Sequence, residues 1–273
     1  MNLVVLGDVN LDVVVRVSGP LARGSDTAAQ IGFVSGGSGA NVAAWAASLG
    51  TPVALACCVG QDERGRTAVD ELRAAGVTVY AERIRSHATG TCVVLVDESG
   101  ERTMLPDPGA NDTPAAVPEA ALSRGGHLHV IGYALVRPGA RPGALAAIER
   151  ARAAGMTVSV DPSSWALVQP GAFPDVDLLM PNEDEARALG PVTSSEVVTK
   201  LGARGARWTD GRDTVEVPAE RVPVVDTTGA GDAFAAGLLT ARLDGAGPRE
   251  ALEAGCRVAA RAVARVGARP GYD

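Results

Sequence analysis

Aromatic side chains make up only 3% of this 273-residue sequence, and lysine occurs once, at position 200. A core with so few rings must be built from Val, Leu, Ile and Ala, and the 46% hydrophobic content is enough for one. A flat ring bound by such a protein would lie between aliphatic walls. The single lysine sits in Val198-Thr199-Lys200-Leu201-Gly202, so there is no Gly-x-x-x-x-Gly-Lys-Ser/Thr loop and no protein-kinase lysine motif. A dinucleotide fingerprint is missing too, because Gly7-Asp8-Val9-Asn10 lacks the second and third glycines. Positive charge is in deficit. A formal net charge of −7 repels phosphate backbones and anionic lipid, which excludes nucleic acid and membrane as expected partners. No apolar run approaches the ~18 residues of a membrane span. Met1 to Gly7 has no basic residues before it and is interrupted by Asp8, so it reads as a buried first strand and not a signal peptide. Cys57, Cys58, Cys92 and Cys256 follow no metal or disulfide spacing and read as reduced core residues of a cytoplasmic protein. His127 and His129 would face one side of a strand, but no acidic or cysteine ligand accompanies them.

Short apolar runs alternate with helical patterns. Strands are expected at Leu3–Leu6, Val53–Val59, Leu128–Ile131, Thr157–Val160 and Leu178–Met180. Helices are expected at Ala40–Leu49, Arg64–Ala75, Pro142–Ala154 and Glu183–Leu189, with Gly76 and Gly155 ending the second and third. This alternation predicts an α/β fold: a mostly parallel sheet with helices on both faces, a three-layer α/β/α arrangement. Two segments break the rhythm. Val13–Val17 with Ala29–Val34, and Thr91–Val96 with Arg102–Leu105, form strand pairs without crossover helices, the second joined by the turn Glu98-Ser99-Gly100-Glu101. They predict a small β-sheet lid made from segments at about 12–35 and 90–106, inserted in one domain spanning 1–273. Two plain edge hairpins would give the same pattern.

The strongest motif is Asp226-Thr227-Thr228-Gly229-Ala230-Gly231-Asp232, which runs into the alanine-rich helix that begins Ala233-Phe234. Glycines let backbone amides approach a ligand, and a helix N-terminus favours negative charge. Together they suit a phosphoryl group. Asp232, in the first turn, is expected to stay ionised and could accept a proton; taken alone, it could equally cap the helix. Gly36-Gly37-Ser38-Gly39-Ala40-Asn41 opens another helix, where Asn41 offers a donor and an acceptor to hydroxyls or simply sits in a glycine-rich turn. Asn10 and Asp12 follow the first strand, at the edge where open α/β sheets bind ligands. Asn182 and Glu185 share a helical face, and by themselves they read as a capping box.

In combination these motifs resemble the ribokinase-like (PfkB-type) carbohydrate kinases, with signatures similar to Gly36–Gly50 and Asp226–Leu239 and an extent from Gly7 to Pro270. The resemblance implies an ATP-dependent kinase that transfers the γ-phosphoryl group to a hydroxyl of a small sugar-like molecule. A nucleoside kinase of the same fold and a non-catalytic sugar- or nucleotide-binding regulator are the rival readings. It implies Asp232 as base, with Gly229, Ala230 and Gly231 as the anion hole. The sugar-contacting positions would be Asn10, Asp12, Gly36, Gly37 and Asn41. Asn182 and Glu185 would organise Mg2+ and the phosphates through water. Lys200, Gly202, Ala203 and Gly205 resemble the nucleotide-binding loop, and Cys256 lies where relatives often carry Asn or His near the adenine. Asp226, Thr228, Arg265 and Gly267 match positions that hold a monovalent cation, K+, in many relatives. A homodimer, if one forms, is expected through the lid.

The chain also departs from the pattern. Gly132-Tyr133 stands where ribokinases place an acidic sugar ligand, which puts ribose itself in doubt. Gly271 replaces a frequent Ser at the last cation position, and the segment from Glu185 to Val197 is short enough to trim a peripheral helix.

Overall fold

The computed structural model describes residues 2–98 and 100–271. Met1, the start of the first apolar run, and Ser99, in the turn Glu98–Glu101, lie outside the described residues. The chain begins with β1 (Leu3–Leu6), β2 (Asn10–Val17), β3 (Ala29–Gly36), α1 (Ser38–Ser48), β4 (Val53–Gly60), α2 (Glu63–Ala74) and β5 (Thr78–Ile84). It continues through β6 (Gly90–Val96), β7 (Arg102–Asp107), β8 (His127–Ile131), α3 (Tyr133–Val136), α4 (Arg141–Ala153), β9 (Thr157–Asp161) and β10 (Leu178–Leu179). The last elements are α5 (Glu183–Leu189), β11 (Glu196–Lys200), β12 (Ala206–Thr209), β13 (Thr214–Val217), α6 (Ala230–Leu243) and α7 (Pro248–Val263).

Among the described residues, nine strands form the main sheet in the order β13-β12-β11-β10-β9-β8-β1-β4-β5. The run from β11 to β5 is parallel, and β12 and β13 extend it as antiparallel edge strands. Side chains alternate across a strand, so each parallel strand feeds two cores. Leu3, Val5, Leu55, Cys57 and Val59 join one cluster with α1, α2, α6 and α7. Val4, Leu6, Ala56, Leu128 and Val130 join the other with α4. This need for apolar residues on both faces is why the strands read as continuous hydrophobic runs. The expected helices fall in place: α2 is capped by Asp62, whose side chain accepts the Gly65 N–H at 2.8 Å.

His127 and His129 are absorbed by the sheet. The Ser159 hydroxyl lies 2.6 Å from His127 Nε2 and 2.7 Å from His129 Nδ1. Burial drives both imidazoles down to about 3, so they stay neutral. All four cysteines are free and buried.

The two irregular segments form a separate four-stranded sheet of order β3-β2-β6-β7. The pairs β2/β3 and β6/β7 are antiparallel, as their hairpin pattern requires, while β2 and β6 join them in parallel. In the main sheet the chain leaves β1 for β4 on one side and later returns to β8 on the other. β1 and β8 therefore straddle the switch point, where the carboxyl ends of open α/β sheets leave a crevice.

Candidate functional site

Polar residues at strand ends, Asn182 and Lys200 of the sequence-predicted set among them, converge on the carboxyl edge of the main sheet. Asp8 follows β1, Asp161 ends β9, Asn182 follows β10 and Lys200 ends β11. The small sheet projects from the same edge, because β2 begins at Asn10 only four residues after β1.

One side of the crevice is a polar network. Asp8 Oδ1 accepts the Gly39 N–H at 3.2 Å, and Asp8 Oδ2 accepts Asn10 Nδ2 at 3.1 Å. Asn111 Nδ2 donates to Asn10 Oδ1 at 2.8 Å, while Asn111 Oδ1 accepts the Val9 N–H. Gly37, at φ 95°, lets α1 start against this loop; a Cβ there would lie 2.5 Å from the Asp8 carbonyl. Asp12 is buried, and burial followed by the Asp8 charge pushes it up to about 6, against the pull of Arg269. Arg269 Nη2 donates to the Gly36 carbonyl at 2.9 Å and Arg269 Nε reaches Asn41 Oδ1 at 3.4 Å.

Asn41 is the link to Asp232, donating from Nδ2 to Asp232 Oδ2 at 2.8 Å. Asp232 does not have an ordinary carboxylate pKa, as the sequence suggests; burial raises it to about 7. The Asn41 hydrogen bond and Lys200 lower it, and the charges of Asp161 and Asp8 raise it. Removal from water dominates because few donors compensate for the lost hydration. Gly229 precedes α6 in the left-handed region, φ 71°, and a Cβ there would meet Ala268 at 2.7 Å. The Ala230 and Ala233 amides are used within this turn, on Thr227 and Gly229 carbonyls at 3.3 and 2.9 Å. Of the residues expected to form an anion hole, Ala230 thus spends its amide within the turn, while the N–H groups of Gly231 and Asp232 lie at the open end of the helix.

On the other side, α6, α7 and the strand-end loops enclose a cavity of about 450 Å³. Lys200, Gly202, Ala203, Gly205, Gly231 and Cys256 all line it, together with Phe234, Val222, Val224 and Val263. Lys200 Nζ lies 2.6 Å from Asp161 Oδ2 and 3.6 Å from where a Cβ on Gly231 would sit. Burial opposes its charge, but Asp161, Glu185 and Asp232 outweigh burial and raise its pKa. Glu185 forms the capping box with Asn182: the Asn182 N–H donates to Glu185 Oε2 at 2.8 Å and Asn182 Oδ1 accepts the Glu185 N–H at 2.9 Å. Glu185 is also buried, and burial raises its pKa.

Of the residues expected at a cation site, Asp226, Thr228 and Gly267 cluster, but around an occupied carboxylate. Asp226 accepts the Thr228 N–H, the Thr228 hydroxyl and the Gly267 N–H, and Arg102 pairs with it at 2.5 Å. Burial alone would raise its pKa, but these donors hold it below the ordinary carboxylate range.

Sequence reasoning passed over Asp8, Asp161, Asn111 and Arg102 as functional candidates. Asp8 and Asp161 each stand just after or at the end of an apolar strand, which is a usable signal in an α/β fold. Asn111 and Arg102 carry no local signal, since each reaches the site across more than a hundred residues of chain.

Known proteins match this arrangement over nearly its whole length. An ATP-dependent ribose-1-phosphate kinase from Halopiger xanaduensis is 34% identical, with 96% of this chain and 92% of the relative covered. A ribokinase from Bacillus subtilis is 30% identical over 99% of this chain and 95% of its own. The structure of Arabidopsis thaliana ribokinase complexed with ribose and ATP superposes with a TM-score of 0.81 at 25% identity, covering 98% and 94% of the two chains. Fold and relatives together define an ATP-binding phosphotransferase with an alcohol group as acceptor. The pfkB family carbohydrate kinase model matches residues 1–273, and the chain belongs to that family of sugar kinases. Among the described residues, no helix is long and apolar enough to cross a membrane.

Proposed function

We propose that the chain transfers the γ-phosphoryl group of ATP to a hydroxyl of a small sugar or sugar phosphate, with Asp232 as the base. The observation that carries this reading is the position of Asp232, bonded to Asn41 of the polar network and backed by Lys200 and the aliphatic cavity. The adenine side of ATP lies in that cavity, between Val222, Val224, Phe234, Cys256 and Val263. The acceptor lies against Asn10, Asp12 and Asn41, which Asp8, Asn111 and Arg269 brace. The acceptor oxygen forms its bond to the γ-phosphorus as the bond to the ADP oxygen breaks, and the hydroxyl proton passes to the Asp232 carboxylate. The Gly231 and Asp232 amides meet the charge on the transferred group. The small sheet acts as the lid that excludes water.

Magnesium fits through water. Among the described residues no group of three or more His, Cys, Asp or Glu side chains is placed to hold a metal directly. Glu185 uses Oε2 in its capping box, which leaves Oε1 to bind a hydrated ion that would neutralise phosphate charge. Asp161 and Lys200 stand beside it.

The acceptor class is tested by ADP release from Mg-ATP with a panel of sugars, sugar phosphates, sugar acids and nucleosides. Turnover restricted to nucleosides, or absent for every sugar and sugar phosphate, would overturn it.

The outer face of the lid suits a second copy of the chain. Register places Phe33, Val13, Val93 and Leu105 in one row and Ile31, Val15 and Leu95 in the next. Phe33 is 65% exposed and Ile31 61%. A contiguous row of exposed apolar side chains is a feature that marks protein–protein contact surfaces. Phe33→Glu is expected to convert a dimer to a monomer in sedimentation; a parent that is already monomeric would remove the idea.

A further inference from the structure

The Asp226 carboxylate is already matched by protein donors, most of them on one oxygen. A carboxylate offers about four lone-pair sites. Oδ1 accepts the Thr228 N–H at 2.8 Å and the Thr228 hydroxyl at 2.6 Å, and carries Arg102 Nη2 at 2.5 Å. Oδ2 accepts the Gly267 N–H at 3.1 Å. The Thr228 hydroxyl is used on both sides, because it donates to Asp226 and accepts from Arg102 Nη1. The donor set therefore does not fit a resident monovalent cation. The negative charge is already matched, and a metal ion would enter against the Arg102 guanidinium.

We propose that Arg102 is a tethered cation: its guanidinium, delivered by the small sheet, does at Asp226 what a monovalent metal ion would do, and makes the enzyme independent of potassium. The proposal rests on the kinase reading of Asp232 and deepens it. Asp226 and Thr228 begin the loop whose next residues, Gly229 to Asp232, form the start of α6. A cation on Asp226 fixes that loop and so aims the Gly231 and Asp232 amides. Arg102 comes from β7, 126 residues away from Thr228 in sequence, and the ion pair is sheltered, with side-chain exposures of 24% and 14%. A sheltered pair held by a planar fork differs from a surface ion pair, whose partners are screened by water.

The register shows what else the sheet brings. Asp12 pairs with Cys92 and Arg102 with Val96, so Asp12 and Arg102 point from the same face toward the 226–228 loop. The two line one cavity of about 400 Å³ with Asp226, Thr228 and Gly267. A metal ion would reach the loop whether or not the sheet was in place. Arg102 reaches it only with the sheet seated, so loop order and acceptor capture by Asp12 become one event. Arg102 is a positioning residue, because it touches the loop and not the reacting atoms.

The test compares the parent with Arg102→Ala and Arg102→Met in potassium chloride and in tetramethylammonium chloride of equal ionic strength. Thermal melting and calorimetric binding of Mg-ATP are read, with turnover added for any acceptor found in the panel. The parent is expected to melt at the same temperature and bind Mg-ATP equally in both salts. Both variants should bind Mg-ATP about tenfold more weakly in tetramethylammonium and regain most of the loss in potassium. Removing the guanidinium opens the carboxylate to the metal ion, so their melting temperature should also rise in potassium alone. A parent that is stabilised or activated by potassium would overturn the proposal. So would variants whose losses potassium does not restore, which would make Arg102 a strut. Melting needs neither ATP nor an acceptor, so a failed kinase reading would appear as absent ATP binding while the melting comparison still decides the role of Arg102.

Discussion

The crevice changes character across Asp232. On the side proposed for the acceptor, directional hydrogen bonds join Asp8, Asn10 and Asn111, and Asn41 links Arg269 to Asp232. On the side proposed for the nucleotide, a cavity of about 450 Å³ is walled mainly by Val, Ala, Gly, Phe234 and Cys256. The two sides recognise ligands by different physics. A hydrogen-bonded wall rejects a ligand that leaves its buried polar groups unpaired, whereas an aliphatic wall discriminates weakly, by shape and area. With the ligands placed as proposed, the acceptor side is built for selectivity and the nucleotide side for tolerance.

The sharpest way to break that comparison is at its junction. Asp232→Asn keeps the shape and the acceptor for Asn41 Nδ2 but removes the base. A positioned base typically contributes ~10²–10⁴-fold, so kcat is expected to fall by about that factor while acceptor binding, read by calorimetry, changes little. The raised pKa fixes the pH dependence. The carboxylate accepts a proton only when ionised, so kcat/KM should decline as pH drops below about 7, and Asp232→Asn should lose that limb. Stability follows the opposite sign. A carboxyl whose folded pKa lies near 7, above its ordinary 3.8, favours the folded state at low pH and withdraws that stability as pH rises through about 7. Asp232→Asn should therefore melt above the parent at pH 8, by about 2–4 °C for each kcal/mol recovered. Turnover near the parental rate would remove Asp232 as the base.

The smallest effect is expected on the aliphatic side. Cys256→Ala removes one buried sulfur from the cavity wall, comparable with one methylene at about 0.8 kcal/mol. KM for ATP should rise by no more than about fourfold with kcat unchanged, as loss of uniform binding requires. A fall in kcat comparable to that of Asp232→Asn would show that the aliphatic wall positions the phosphates and that the contrast between the two sides is wrong.

Much of this arrangement was legible in the residues. Continuous runs such as Leu3–Leu6 and Val53–Val59 mark strands buried on both faces, and the Asp226–Asp232 loop marks a helix start suited to an anion. By themselves Asn182 and Glu185 read as a cap, with a magnesium role implied only by the family resemblance, and the structure contains the cap. Other parts had no local signal. β10 is two residues long, too short to show a period. Arg102 sits in an ordinary hairpin strand, and nothing near it in sequence points to Asp226.

The sequence alone determined the layered α/β class, the order of the motifs and the residue types available for phosphoryl chemistry, because periodicity and backbone permissiveness are local properties. Tertiary structure decided how those residues are charged and paired. Asp232 reaches a pKa of about 7 only because burial strips its water while Asp161 and Asp8 crowd it. Lys200 stays charged because Asp161 comes within 2.6 Å of it from a neighbouring part of the sheet. Asp226 holds a guanidinium because the small sheet brings Arg102 to it. Each outcome depends on distances and solvent exclusion between segments far apart in the chain, and local sequence encodes neither.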